Sequence, residues 1–322
     1  MRRADPARVD DLVARARGGE PRAVARLVSL VEDAPVGGSE ILRQVMAALA
    51  PYGGRAHVVG LTGAPGVGKS TTTSALVREL RAADRRVAVL AVDPSSPFSG
   101  GALLGDRIRM TDHATDRGVF IRSMASRGHL GGLSWSTPQA LRVLDAAGFD
   151  VVLVETVGVG QSEVEIASLA DSTVVLLAPG MGDGIQAAKA GILEIGDLYV
   201  VNKADREGAG RVRRDLRGML RLADRSPDAW QPPVLATVSQ TGKGVDALVA
   251  ALDEHHAWLS SSGELARRRT RRAREEIEAI AVETLRARWA RVGAEEELGR
   301  LAAAVVAGES DPYAAADSLL DR

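Results

Sequence analysis

The sequence contains no cysteine, few aromatic residues and no long apolar run. Without cysteine, the chain cannot form disulfides, thiolate metal sites or a cysteine nucleophile. No window approaches the ~18 uninterrupted apolar residues that indicate a transmembrane helix. The N-terminal segment carries acidic residues early and lacks the apolar region of a signal peptide. We therefore expect a soluble, cytoplasmic protein that does not bind membranes.

The charge balance gives no reason to expect a polyanionic partner. The formal net charge is −1, and hydrophobic residues make up 45% of the 322 residues. A near-neutral chain has no overall field that would attract nucleic acid. The apolar fraction is that of an ordinary globular protein with a full core.

Lysine is unusually scarce. The 41 basic residues include only four lysines: Lys69, Lys189, Lys203 and Lys243. Where lysine is retained in a chain that otherwise uses arginine, a compact ammonium group is a reasonable requirement. Three of the four fall in the motifs described below, which makes Lys189 a further candidate functional residue. Chance retention on a surface helix is the alternative.

From His57 onward, apolar β-branched runs alternate with amphipathic segments. Continuous apolar runs indicate strands buried on both faces, as in a parallel sheet. Helices are predicted between them, over Ser70–Ala83, Pro138–Ala147 and Gly184–Ile195. This alternation predicts an α/β fold with a doubly wound, mostly parallel sheet.

Helical segments flank this region on both sides. We predict an N-terminal helical extension over residues 1–54, a central domain over 55–258 and a C-terminal helical arm over 259–322. The arm is too small to hold a core of its own, so it must pack on the central domain or on another copy of the chain. The arginine run Arg267–Arg274 within the arm is interpreted as a solvated helix face, and the pair His255 and His256, just before the arm, as a surface feature.

The strongest motif is GAPGVGKS, from Gly63 to Ser70, which matches the P-loop pattern after a strand and before a helix. Its glycines let backbone N–H groups surround a phosphate at a helix N-terminus. Lys69 would reach the β- and γ-phosphates, and the Ser70 hydroxyl would ligate Mg²⁺. The fold class is therefore that of a P-loop NTPase with helical extensions.

Two later segments indicate guanine as the base. Asn202, Lys203 and Asp205 match N-K-x-D after a late strand, and a Ser239–Gly244 loop follows the last strand. A carboxylate at Asp205 accepts hydrogen bonds from guanine, whereas adenine would leave the charge unpaired. The predicted nucleotide-binding residues are Gly63, Ala64, Pro65, Gly66, Val67, Gly68, Lys69, Ser70, Thr71, Asn202, Lys203, Asp205, Ser239, Gln240 and Thr241.

Acidic residues near the ends of two strands suggest metal ligands. Asp93 and Asp106 lie in a segment of glycine, proline and serine typical of a switch loop, and Glu155 ends another strand. Small GTPases carry aspartate at the position of Glu155. We predict Ser70, Asp93, Asp106 and Glu155 as metal ligands, with Lys69, Asp93 and Glu155 as the catalytic residues.

Four residues are predicted to belong to switch segments: Gly158, Gln161, Asp183 and Lys189. Gly158 is expected to sense the γ-phosphate. The residue after it, where small GTPases carry a catalytic glutamine, is Val159, and Gln161 lies further on. We therefore expect slow intrinsic hydrolysis that needs a partner.

In their order, the motifs GAPGVGKST, AVDPSSPFSGGALLGDRIRM, RGHLGGL, ETVGVGQSE, APGMGDGIQAAKAGI and NKAD resemble the MeaB/ArgK family of P-loop GTPases, which includes methylmalonic aciduria type A protein. The resemblance covers nearly the whole chain. It implies GTP/GDP and Mg²⁺ as ligands, a homodimer formed through the C-terminal arm, and methylmalonyl-CoA mutase or a related cobalamin-dependent acyl-CoA mutase as partner. It also implies that the GTPase gates cobalamin loading and protects or reactivates the mutase.

Two other functions remain open at this stage. One is a nickel-type metallochaperone GTPase, which the absence of cysteine and the scattered histidines disfavour. The other is an ATPase or kinase linked to basic amino-acid transport, which would have no use for Asp205.

Overall fold

The computed structural model describes residues 6–35, 38–93, 113, 115–125, 136–156, 162–180, 192–222, 226, 228–291 and 294–320. The chain forms two compact units. The first comprises Met1–Ala34 with Glu40–Arg272, and the second comprises Pro35–Ser39 with Ala273–Arg322. The domain boundaries after residues 54 and 258 remain a prediction.

Within the described residues, seven parallel strands form one sheet in the order β3-β2-β4-β1-β5-β6-β7. The chain leaves β1 toward β2 on one side, returns through β4, and crosses to β5 on the other side. Such a reversal leaves a ligand-binding crevice at the carboxyl ends of the central strands. The strands are β1 (His57–Thr62), β2 (Val87–Asp93), β3 (Val119–Ala125), β4 (Val151–Thr156), β5 (Ser172–Leu177), β6 (Leu198–Val201) and β7 (Val234–Ala236).

The helices agree closely with those expected. The helix predicted over Ser70–Ala83 is α4, and that over Pro138–Ala147 is α5; of the one predicted over Gly184–Ile195, the described part is α7. The helices are α1 (Pro6–Arg17), α2 (Pro21–Glu32), α3 (Glu40–Leu49), α4 (Lys69–Ala82), α5 (Thr137–Ala146), α6 (Ser162–Leu169), α7 (Ile192–Ile195), α8 (Ala209–Leu222), α9 (Val245–Ser261), α10 (Glu264–Arg291), α11 (Ala294–Val306) and α12 (Pro312–Leu320).

The core lies on both faces of the sheet, as the continuous apolar runs predict. Strands β1, β4 and β5 are buried at every position. Helices α1, α2, α3 and α5 cover one face, and α4 and α9 cover the other. This confirms the doubly wound α/β fold and makes the N-terminal helices part of the main core.

The arginine run proved to be partly buried, so its interpretation as a solvated face was wrong for three residues. Arg269 and Arg272 each place a guanidinium nitrogen 2.7 Å from the carboxylate of Asp171, whose side chain is fully buried before β5. Arg268 donates two hydrogen bonds of 2.9 Å to Asp197, which precedes β6. The start of α10 is therefore held against the amino ends of the strands.

The histidine pair is also not a surface feature. His255 is fully buried, and His256 stacks on His57 with ring centroids 4.3 Å apart. The Ser172 hydroxyl lies 2.7 Å from both His57 Nε2 and His255 Nδ1. Burial lowers the pKa of His57 to about 3 and that of His255 to about 4, so both rings are neutral. We call these histidines, with Asp171, Ser172, Asp197, Arg268, Arg269 and Arg272, the amino-edge network.

The second unit contains the later part of α10 together with α11 and α12. Among its described side chains, Leu301 and Ala315 are the buried apolar ones. Large apolar side chains remain exposed, namely Ile277, Ile280, Val282, Leu285, Leu298, Val306 and Tyr313. This agrees with the expectation that the tail holds no core of its own. None of the helices in the described part of the chain is long and apolar enough to cross a membrane.

Candidate functional site

The P-loop joins the end of β1 to the start of α4, at the point where the strand order reverses. Gly63, Gly66 and Gly68 have φ angles of 139°, 81° and 99°, which residues with a Cβ rarely adopt. A Cβ on Gly63 would collide with the carbonyl oxygen of Leu176, and one on Gly68 would meet the Asn202 side chain. The glycines therefore permit both the turn and the close approach of neighbouring loops.

Lys69 begins α4, and its side chain follows the inside of this loop. The Nζ atom donates to the carbonyl oxygens of Gly63 at 2.5 Å and Ala64 at 3.3 Å. The residue is 8% exposed, so the cation is held in place before any phosphate arrives. An ammonium group and the first N–H groups of a helix together form a site suited to phosphate.

The next residue, Ser70, meets the carboxylate predicted to lie near the metal. Its hydroxyl donates to Glu155 Oε1 at 2.6 Å, and Glu155 is only 2% exposed. This bond places a hydroxyl oxygen beside a carboxylate oxygen at the start of α4. Hydroxyl and carboxylate oxygens are the ligands that Mg²⁺ prefers, so this part of the site fits the ion.

The remaining predicted ligands are only partly described. The backbone of Asp93 ends β2, beside β4, where Ala91 pairs with Glu155. This register brings the two acidic positions to the same edge of the sheet. Asp106 lies outside the described residues, as do Gly158, Gln161, Asp183 and Lys189. Within the described part of the chain, no cluster of three acidic, histidine or cysteine side chains forms a metal site.

The base-recognition segments meet the P-loop through Asn202, which is 3% exposed. Its Nδ2 donates to the carbonyl oxygen of Val67 at 2.9 Å. Its Oδ1 accepts from the backbone N–H of Ser239 at 3.1 Å and from the Thr237 hydroxyl at 3.2 Å. Asn202 thus ties the P-loop to both guanine segments.

Lys203 contacts the P-loop, and Asp205, two residues further on, is exposed. Lys203 has a positive φ of 54°, and its Nζ donates to the carbonyl oxygen of Gly66 at 2.7 Å. Its aliphatic stem therefore extends from the residues after β6 to the P-loop. Asp205, Gln240 and Thr241 are exposed, so their polar atoms can reach a ligand.

Two further threonines in this region were not predicted from the motifs. Thr72 Oγ1 lies 2.8 Å from Ser239 Oγ, and Thr73 Oγ1 donates toward Glu155 Oε2 at 3.0 Å. Both residues are fully buried on α4. The sequence carries a signal for Thr73, because it follows Ser70 by three residues and therefore shares one face of the helix with it.

A phosphate loop, a hydroxyl–carboxylate pair and a base loop ending in an exposed aspartate all meet at the carboxyl edge of one parallel sheet. This combination defines a P-loop GTPase. A family model described as methylmalonyl-CoA mutase-associated GTPase MeaB matches residues 24–294, and the chain belongs to that family.

Individual relatives agree with this assignment. A protein of Pyrococcus horikoshii whose name describes it as a GTPase is 46% identical, over 98% of this chain and 98% of its own length. The mouse mitochondrial methylmalonic aciduria type A homolog is 40% identical, over 66% of this chain and 52% of its own length. A crystal structure named as an LAO/AO transport system kinase superposes with a TM-score of 0.73 at 30% identity, covering 99% of this chain and 98% of that one.

Proposed function

We propose that this GTPase gates the loading of cobalamin into methylmalonyl-CoA mutase, or a related cobalamin-dependent acyl-CoA mutase, and protects or reactivates that enzyme. The observation that carries the proposal is the family match. Its description links the GTPase to this mutase, and it spans residues 24–294. The predicted switch residues from Gly158 to Lys189 all lie within that span.

The described residues fit binding of GTP and GDP with Mg²⁺. In the proposed site, Ser70 and Glu155 hold Mg²⁺ together with Asp93 and Asp106. When bound, the ion supplies positive charge that stabilises the charge developing on the phosphate oxygens. Lys69 provides a second positive charge at the β- and γ-phosphates. Asp205 selects guanine by accepting two hydrogen bonds from the edge of the base.

Slow hydrolysis in the absence of a partner follows from the residues after Glu155. Val159 occupies the position that orients the attacking water in small GTPases, and its side chain has no polar atom for that task. In this proposal the mutase completes the catalytic arrangement through the switch segments. Hydrolysis is thereby coupled to the state of the partner.

The second unit supports a homodimer as the working form. Ile277, Ile280 and Leu285 lie on α10 with a spacing that puts them on one side of the helix, and all three are exposed. An exposed apolar stripe of this kind is typical of a protein–protein contact. We propose that it pairs with a second copy, in the cytoplasm, where the mutase would also be found.

The principal alternative function is that of a kinase, the activity in the name of the superposed crystal structure. A kinase would transfer the γ-phosphate to a substrate, whereas a GTPase transfers it to water. Asp205 disfavours an ATP-dependent kinase, because adenine would leave its charge unpaired, and the identity of the reaction product tests this directly. A nickel metallochaperone is disfavoured because the chain has no cysteine.

The test is GTP turnover by the full chain, alone and with the methylmalonyl-CoA mutase of its host. We expect slow release of inorganic phosphate that rises at least severalfold when the mutase is added, with a complex visible on gel filtration. Lys69→Ala serves as the matched control, because the mutase should still bind but turnover should not rise. An unchanged rate with no complex would remove the mutase as partner and leave the GTPase assignment intact.

A further inference from the structure

The acidic residue at the end of β4 is a glutamate, where small GTPases use aspartate. Glutamate has one more methylene and one more rotatable bond than aspartate, so its carboxylate can adopt more positions. Fixing an additional side-chain torsion carries an entropic cost. A metal ligand therefore needs a second contact to hold it in one orientation.

The structure supplies that contact from α4. Ser70 and Thr73 lie one turn apart on the same face of the helix, and each binds a different oxygen of Glu155. Ser70 Oγ contacts Oε1 at 2.6 Å, and Thr73 Oγ1 contacts Oε2 at 3.0 Å. Thr73 is fully buried and Glu155 nearly so, which shields the contact between them from bulk solvent.

We propose that Thr73 is a positioning residue for the metal site: it fixes the Glu155 carboxylate so that Glu155 and Ser70 bind Mg²⁺ together. The inference rests on the Mg²⁺ site of the proposed function. Thr73 contacts neither nucleotide nor ion in this arrangement, and it acts only through Glu155. Substituting it should therefore change Mg²⁺ affinity more than nucleotide affinity.

A purely structural role for Thr73 makes a different prediction. Threonine in a helix often donates its hydroxyl to the carbonyl oxygen four residues back, and Thr73 Oγ1 also lies 3.0 Å from the carbonyl oxygen of Lys69. One hydroxyl proton cannot fully serve both acceptors. The carboxylate is charged and forms the stronger bond. If the Lys69 carbonyl were the important acceptor, the effect of removing the hydroxyl would not depend on Glu155.

The experiment measures release of a fluorescent GDP analogue from the full chain as free Mg²⁺ is varied with EDTA. We expect Thr73→Val to weaken Mg²⁺ binding about three- to tenfold, the loss expected for one hydrogen bond to a buried carboxylate. Nucleotide affinity in excess EDTA should stay at the wild-type value. Thr73→Ser should restore Mg²⁺ affinity, and Thr173→Val, a buried threonine near the start of β5, is the matched control.

A double-mutant cycle with Glu155→Asp distinguishes the positioning role of Thr73 from a purely structural one. The shorter carboxylate should no longer reach Thr73, so Thr73→Val should then have little further effect. An equal loss in both backgrounds would overturn the inference, and so would wild-type Mg²⁺ affinity in Thr73→Val. If that variant is unstable, Thr73→Ala gives the same comparison. If nucleotide release from the wild-type protein does not depend on Mg²⁺, the Mg²⁺ site itself is overturned, and this inference with it.

Discussion

The two edges of the sheet carry polar clusters of similar composition that are built in opposite ways. At the carboxyl edge, Asp205 is exposed and Lys203 is half-buried, so their charged groups are accessible to a ligand. At the amino edge, the carboxylate of Asp171 is fully buried and bound by Arg269 and Arg272. The carboxylate of Asp205 is accessible to a ligand, whereas that of Asp171 is bound by arginines of its own chain.

The amino edge shows why composition alone does not identify a site. Ser172, His255 and Asp197 form a serine–histidine–aspartate series, with Oγ to Nδ1 at 2.7 Å and Nε2 to the carboxylate at 3.4 Å. Serine hydrolases use the same three residue types, but there Nε2 contacts the serine, Nδ1 contacts the aspartate, and the serine faces substrate. Ser172 is fully buried, so no substrate reaches it. We therefore interpret the amino-edge network as a structural support for α9 and the start of α10.

The largest expected effect separates stability from ligand binding at the two edges. Asp171→Asn should destabilise the protein by about 3–5 kcal/mol, because two partly buried guanidinium groups lose the charge of the buried carboxylate that binds them. The free energy of unfolding in urea measures this loss. GTP affinity measured under conditions where the variant is folded should match that of the wild type, since the nucleotide binds at the opposite edge.

Asp253→Asn is the matched control for this prediction. Asp253 pairs with Arg85 at 2.6 Å, but both side chains are partly exposed, at 43% and 33%. Removing such a pair is expected to change stability by no more than about 1 kcal/mol. Similar losses for the two variants would contradict the distinction between a buried network and a surface pair. Reduced GTP affinity with intact stability in Asp171→Asn would contradict the separation of the two edges.

The second prediction tests the carboxyl edge through its base specificity. Asp205→Asn should weaken GTP binding by about 2–3 kcal/mol, because the two donors on guanine lose a charged acceptor. Xanthosine triphosphate presents an oxygen where guanine has its amino group, so its affinity should be retained or improved. Competition binding with both nucleotides measures the switch, and Asp215→Asn on α8 provides a control on a partly exposed aspartate. Equal losses for the two nucleotides would exclude Asp205 as the residue that reads the base.

The difference between the edges also explains what the sequence predicts and what it does not. The strands, the P-loop and Asn202, Lys203 and Asp205 depend on local patterns, and the structure places these residues together. The amino-edge network joins residues far apart in the chain, such as Asp171 and Arg269. The helical pattern around its arginines therefore does not reveal their partners. Thr73 was missed for a related reason, because its role depends on Glu155 from another element.

The smallest expected effect is the response of the amino edge to acid. Burial is the main cause of the lowered pKa values of His57, about 3, and His255, about 4, and it also lowers the pKa of His256. In the unfolded chain these rings have their ordinary pKa of about 6.5, so they bind protons at pH values where the rings of the folded protein are still neutral. Stability is therefore fully present above pH 6.5 and falls as the pH is lowered from there toward 4.

Charged side chains near the histidine rings influence how low the pH must fall before the folded protein itself is protonated. Asp171 and Asp197 raise the histidine pKa values, but Arg268 and Arg269 oppose them. Burial alone would raise the pKa of Asp171, yet its arginine partners lower it to about 2, so this carboxylate stays charged throughout the window. At pH 6.0 we expect a loss of about 0.8 kcal/mol for each of His57 and His255, measured by urea unfolding. A His255→Asn variant should show a shallower dependence on pH than the wild type, and an unchanged slope would assign the acid sensitivity to other groups.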